Sequence, residues 1–151
     1  MSIRKLMLIM GLSVLFAGCS TGGYLGNNSY SDNSPKSMGV RYLLGQGVEQ
    51  SDQKAFGYFS QAANNGDAFA QNEIAYMYAA GKGTPRDYTK SIYWYTKAAE
   101  QGLASAQYNL GLMYLRGLGT TPNKEIAMQW FQKSAAHGFE PARLAIQQPK
   151  S

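Results

Sequence analysis

The sequence has few of the residues on which many catalytic and metal sites depend. Its 151 residues include one cysteine, Cys19, and one histidine, His137. A single cysteine has no disulfide partner within the chain, and a single histidine excludes a zinc site built from two histidines of one chain. We therefore expect no cofactor, no metal and no intrachain disulfide.

Charge is also sparse. Charged residues make up 15% of the chain, below the roughly 25% of typical proteins, although 44% hydrophobic residues suffice for one folded domain. The 14 Lys and Arg residues are spread along the chain without a basic run. Because binding a nucleic acid requires a clustered basic patch, we expect no nucleic-acid partner.

A short uncharged and strongly apolar run lies near the N-terminus. It spans residues 6–18 and follows Arg4 and Lys5. A membrane-spanning helix needs roughly 20 apolar residues, so this shorter run is typical of a secretory signal peptide. Removal of the segment would leave 12 Lys and Arg against 9 Asp and Glu, a net charge of +3.

The end of this run, Leu-Phe-Ala-Gly-Cys, resembles the lipobox of bacterial lipoproteins. That resemblance implies cleavage before Cys19 and a lipid anchor on its thiol. Ser20 resembles the pattern routed to the outer membrane, so the expected location is an outer-membrane lipoprotein on the periplasmic face. The alternative is a free thiol at Cys19 behind a plain signal peptide.

A repeat of 36 residues organises the rest of the chain. A shift of this length superposes glycines at 45, 81 and 117, at 47, 83 and 119, and at 66, 102 and 138. Between units 67–102 and 103–138, 12 of the 36 aligned residues are identical. A fixed period of this length is typical of stacked arrays, in which each unit buries its apolar face against its neighbours.

The resulting organisation has six segments. They are a signal peptide at 1–18, a lipidated N-terminus and Gly/Ser/Asn-rich tether at 19–34, repeats at 35–66, 67–102 and 103–138, and a partial repeat with a capping helix at 139–151. Apolar residues at helical spacing predict two helices in each repeat, with Asp67 and Asp87 as N-caps and Gly81 and Gly102 at the helix ends. The fold class is all-α, an α/α solenoid of antiparallel helix pairs, which we expect to be right-handed.

The repeated residues resemble the Sel-1-like repeat family, relatives of the tetratricopeptide repeats. The third unit carries the family pattern in Ala106, Leu110-Gly111, Tyr114, Gly117, Gly119, Ala127, Trp130-Phe131, Lys133, Ala135 and Gly138. The second unit differs mildly, with Ile74-Ala75 in place of Leu-Gly. The resemblance covers residues 34 to about 148 and implies a non-catalytic scaffold, or adaptor, that binds a protein or peptide.

Two motifs resemble those of enzymes, but both have a structural explanation. Ser51 and Lys54 match the Ser-x-x-Lys of penicillin-binding enzymes, but the Ser-Asp-Asn element precedes it, Lys-Thr-Gly is missing, and Ser51 is also expected to cap a helix. The Gly-x-Gly turns follow helices and recur in each unit, which favours turns over phosphate sites. We therefore expect no enzyme; the alternative is an envelope enzyme accessory or a peptidoglycan-binding or β-lactam-interacting protein.

The expected binding surface lies on the first helix of each pair, which in such solenoids lines the concave face. Positions outside the buried stripe differ between units. Such variation is expected of a surface that is shaped for one particular ligand. These positions are Val40, Phe69, Asn72, Tyr76, Ala80, Tyr108, Leu112 and Arg116. The alternative is that Tyr76 and Tyr108 simply pack between units.

Overall fold

The computed structural model describes residues 32–147, which form seven α-helices and no strand. The helices are α1 Pro35–Leu44, α2 Asp52–Asn64, α3 Ala68–Ala80, α4 Tyr88–Glu100, α5 Ala104–Arg116, α6 Lys124–Ala136 and α7 Glu140–Gln147. Cys19, the predicted signal peptide and most of the predicted tether lie outside the described residues. Within the described part of the chain, no helix is long and apolar enough to cross a membrane.

The helices stack in sequence order. The main packing partners of each helix are the helices that precede and follow it in the chain. Loops of seven and three residues alternate along the array, so each 36-residue unit contributes one helix pair. This arrangement confirms the predicted all-α solenoid.

Side-chain caps begin five of the helices; one is Ser34, before α1, and Ser51, Asp67 and Asp87 are caps that the sequence predicts. Ser51, Asp67, Asp87 and Asn123 each accept a hydrogen bond from the backbone N–H three residues later. These bonds satisfy N–H groups that the first turn of a helix leaves without a partner. Helix α5, by contrast, begins after Leu103 without a side-chain cap.

The second glycine of the Gly-x-Gly turn at Gly117–Gly119 is required for two reasons. Its φ of +74° lies in the left-handed region, where a side chain is disfavoured. A Cβ at Gly119 would also lie 2.7 Å from the backbone carbon of Tyr88 in the preceding repeat. The turn glycine therefore allows successive repeats to approach closely. Gly102 and Gly138 also have positive φ.

The core consists of three clusters distributed along the stack. Each contains one large ring from a second helix of a pair: Phe59, Tyr95 and Phe131, all at most 2% exposed. Alanines surround the rings, and at Gly111 an added Cβ would lie 2.6 Å from the ring of Phe131. Small residues thus let the helices approach while the rings fill the space between them.

Helix α7 closes the described end of the array. The predicted capping helix of segment 139–151 begins at Glu140, with Pro141 in its first turn. Ala142 is fully buried, and Ala145 and Ile146 pack against the third cluster. The helix therefore covers the last complete repeat.

Candidate functional site

The eight residues predicted for the binding face lie on three first helices. Val40 is on α1; Phe69, Asn72, Tyr76 and Ala80 are on α3; Tyr108, Leu112 and Arg116 are on α5. Six of them retain exposed surface. Phe69 is 37% exposed and Arg116 is exposed, whereas Val40, Tyr76, Ala80 and Tyr108 are half-buried.

Two of the eight differ from the expectation that they are free to meet a ligand. Asn72 is 5% exposed, and its buried amide is satisfied by neighbours: Nδ2 donates to Oε1 of Glu73 at 3.1 Å, and Oδ1 accepts from Nδ2 of Asn109 at 3.3 Å. Leu112 is 9% exposed and packs with Ala127 in the third cluster. Both side chains thus belong mainly to the packing between helices.

Tyr76 lies where two repeats meet. Its ring packs against both the first and the second core cluster and remains half-buried. The ammonium Nζ of Lys82, in the loop after α3, lies 5.9 Å from the centre of the ring, within reach of a cation–π contact. Tyr76 therefore combines packing between repeats with a partly accessible surface.

Tyr108, on α5, likewise packs against neighbouring rings and remains half-buried. The centre of its ring lies 5.4 Å from those of both Phe131 and Phe139. Burial raises the pKa of Tyr108, and the positive charge of Arg116 partly opposes that increase. Packing between units thus accounts for part of the role of both tyrosines, and their partial exposure leaves surface for a partner.

Glu73 is a residue that the sequence reasoning missed. It is 5% exposed, and burial raises the pKa of its carboxyl from 4.5 to about 7, opposed only by the hydrogen bond from Asn72. A usable signal existed in the spacing. Glu73 follows Phe69 by four residues and precedes Tyr76 by three, so all three share one face of α3.

The residues considered for catalysis have local structural roles. Oγ of Ser51 accepts a hydrogen bond from the backbone N–H of Lys54, as a helix cap does. Nδ1 of His137 lies 2.9 Å from Oε1 of Gln107, a contact that the sequence did not predict. In residues 32–147, no three His, Cys, Asp or Glu side chains are grouped so that they could hold a metal ion.

Comparison with known families gives three consecutive matches to one repeat. The family described as Sel1 repeat matches residues 37–67, 68–103 and 104–139. No curated protein matches the chain.

Solved structures share the architecture. A Sel1 repeat protein from Oxalobacter formigenes is 34% identical with a TM-score of 0.69, over 72% of this chain and 43% of its own. A protective antigen present in uropathogenic Escherichia coli strains, displaying an SLR fold, is 32% identical with a TM-score of 0.71, over 78% and 24%. The matched region therefore spans less than half of either relative.

A third structure is similar in fold alone. Helicobacter pylori cysteine rich protein B is 24% identical with a TM-score of 0.61, over 73% of this chain and 86% of its own.

Proposed function

The chain belongs to the Sel1 repeat family, and on that premise we propose that it is a non-catalytic scaffold that binds a protein or peptide through the face formed by its first helices. Sel1 repeat proteins are generally protein-interaction scaffolds. Our finer proposal concerns the surface: the binding face comprises Phe69, Tyr76, Tyr108 and Arg116 on α3 and α5.

The observation that carries this proposal is a difference between two sets of positions. Positions that the stacking of repeats requires are the same in successive repeats, whereas positions on the proposed binding face differ. Positions such as Gly81 and Gly117, which end the first helices, are identical in successive repeats. On the proposed face, by contrast, Phe69 is followed one period later by Ser105, and Arg116 is preceded one period earlier by Ala80. Stacking does not require this variation, and partly exposed aromatic and arginine side chains are the types enriched where protein partners bind.

We also propose where the scaffold works: anchored through a lipid on Cys19, at the periplasmic face of the outer membrane. This part of the proposal is supported by the short apolar run at 6–18 and by the Leu-Phe-Ala-Gly-Cys sequence that ends it. Cys19→Ser should abolish incorporation of a clickable fatty acid. Incorporation that persists in this variant would contradict the proposed anchor.

The binding face is tested by affinity capture from crosslinked cells. A Phe69→Ala, Arg116→Ala variant changes exposed side chains and should reduce the captured partner at least tenfold. Tyr93→Ala is the matched control, because Tyr93 is 53% exposed but lies on α4, a second helix. The proposal would be contradicted if the wild type and both variants captured the partner equally. It would also be contradicted if the chain were retained on purified peptidoglycan and captured no protein.

A further inference from the structure

The carboxyl group of Glu73 is buried in the stack of helices. Its Oε1 accepts one hydrogen bond, from Asn72. In residues 32–147 no lysine or arginine forms an ion pair with Glu73. Since taking an unpaired carboxylate out of water is costly, this position calls for an explanation beyond folding.

The repeat itself shows that the fold does not need an acid here. The equivalent position is Ser37 in the first unit and Asn109 in the third. Asn109 is buried like Glu73, at 3% exposure, and its neutral amide bonds across to Asn72. A neutral side chain is thus compatible with this buried position. Of the three units, only the second has a carboxyl group here.

The carboxyl also retains an oxygen for a further contact. Oε2 of Glu73 has no hydrogen-bond partner in the described part of the chain, and the residue keeps 5% of its surface exposed. Glu73 precedes Ala80 by seven residues and so lies in the same row of α3 as Phe69, Tyr76 and Ala80. An acceptor oxygen is therefore available beside the aromatic side chains of the proposed face.

The surrounding charges do not neutralise this group. The pKa of Tyr95 of α4 is raised by burial and by the charges of Glu73 and Tyr76, and Tyr76 itself follows Glu73 by three residues on α3. Lys36 of α1 pairs with Asp67 at 2.8 Å, and Lys82 lies over Tyr76. No cation of α1, α2, α4 or α5 stabilises the charged form of Glu73.

We propose that Glu73, together with the ring of Tyr76, forms a subsite for a cationic side chain, arginine or lysine, of the peptide that the scaffold binds. This inference rests on the proposed function. The guanidinium or ammonium group would donate to Oε2 and replace the ammonium of Lys82 at the aromatic ring, as cations bind in aromatic pockets. Because only the ionised carboxyl pairs with a cation, binding would release a proton from Glu73 and strengthen as the pH rises through about 7.

The test uses N-acetyl-argininamide as the probe and its neutral counterpart N-acetyl-citrullinamide as the ligand control. In ¹H–¹⁵N NMR titrations of the full chain, the arginine probe should shift the amides around Asn72–Tyr76, and the citrulline compound should bind at least tenfold more weakly. Glu73→Gln should lose the difference between the two compounds. Glu100→Gln, which removes an exposed acid and the same formal charge, should keep it.

Equal binding of the two compounds to the wild-type chain would overturn the subsite, as would an arginine preference that survives in Glu73→Gln. The subsite and the scaffold function can also fail separately. If partner capture is lost with Phe69→Ala, Arg116→Ala but unchanged with Glu73→Gln, the subsite is wrong and the binding face stands. If neither variant changes capture, the proposed function itself is wrong.

Discussion

Gln71 and Gln107, one period apart, make the same two hydrogen bonds in successive repeats. Nε2 of each donates to a backbone carbonyl near the end of the preceding helix pair, that of Ala63 at 3.1 Å and that of Ala99 at 3.0 Å. Oε1 of each bonds to a side chain that follows its own pair, Gln101 or His137. Each glutamine thus links two consecutive repeats.

This relationship predicts a stability cost at both positions. Gln71→Ala and Gln107→Ala each remove two hydrogen bonds, although the carbonyl keeps its bond from the N–H of Gly66 or Gly102. At about 0.5 to 1.5 kcal/mol for each bond, the free energy of unfolding should fall by about 1 to 3 kcal/mol. Gln129→Ala, at an exposed position of α6, is the control and should change it by less than about 0.5 kcal/mol. Urea unfolding followed by circular dichroism measures the free energy of unfolding of all three variants. Equal free energies in the three variants would show that the glutamine bonds do not contribute to stability.

Two buried serines should respond in opposite ways to the same substitution. Ser91 and Ser134 are both 0% exposed, but Oγ of Ser134 donates to the carbonyl of Ala104 at 2.6 Å, whereas Oγ of Ser91 has no partner in the described part of the chain. The positions equivalent to Ser91 hold Ala55 and Ala127.

Ser91→Ala should therefore raise the free energy of unfolding by about 1 kcal/mol, and Ser134→Ala should lower it by about 1 to 3 kcal/mol. Thermal and urea unfolding of the two variants test this pair directly. Destabilisation by Ser91→Ala would mean that its hydroxyl makes a contact in solution that the structure does not show.

The buried carboxyl of Glu73 predicts a pH dependence of stability. Its pKa rises from 4.5 in the unfolded chain to about 7 in the folded chain, so between these values the folded chain holds a proton that the unfolded chain releases. The contribution of Glu73 to the free energy of unfolding is thus fully present below pH 4.5 and is lost as the pH rises through 7. This loss is on the order of 3 kcal/mol.

Glu73→Gln should remove this loss. Urea unfolding of the wild type and the variant at pH 5 and pH 8 gives the comparison, in which the wild type should lose more stability over the interval. Parallel changes in the two proteins would show that the carboxyl of Glu73 titrates near its ordinary pKa.

Periodicity was sufficient to predict the helices, their caps and their order. The glycines and alanines recur at a fixed spacing, and the caps Asp67 and Asp87 act within one turn, so local sequence carries that information. The glutamine bonds and the contact of His137 with Gln107 join residues about 30 positions apart or belong to neighbouring repeats. No local pattern specifies such partners.

The candidate site was only partly predictable for the same reason. Helical spacing placed Phe69 and Tyr76 on one face, but the burial of Asn72 depends on Asn109 in the next repeat. Glu73 was overlooked because a lone glutamate on a helix is normally exposed. Its burial results from stacking on both sides of α3.

Site-specific photo-crosslinking tests the central claim, that a protein partner binds the face of the first helices, most directly. A benzophenone amino acid at Phe69, 37% exposed on α3, is compared with one at Tyr93, 53% exposed on α4, in cells that produce the full chain. A partner on this face should give a discrete crosslinked protein from position 69 and none from position 93. Crosslinks from position 93 alone, or the same products from both positions, would contradict it.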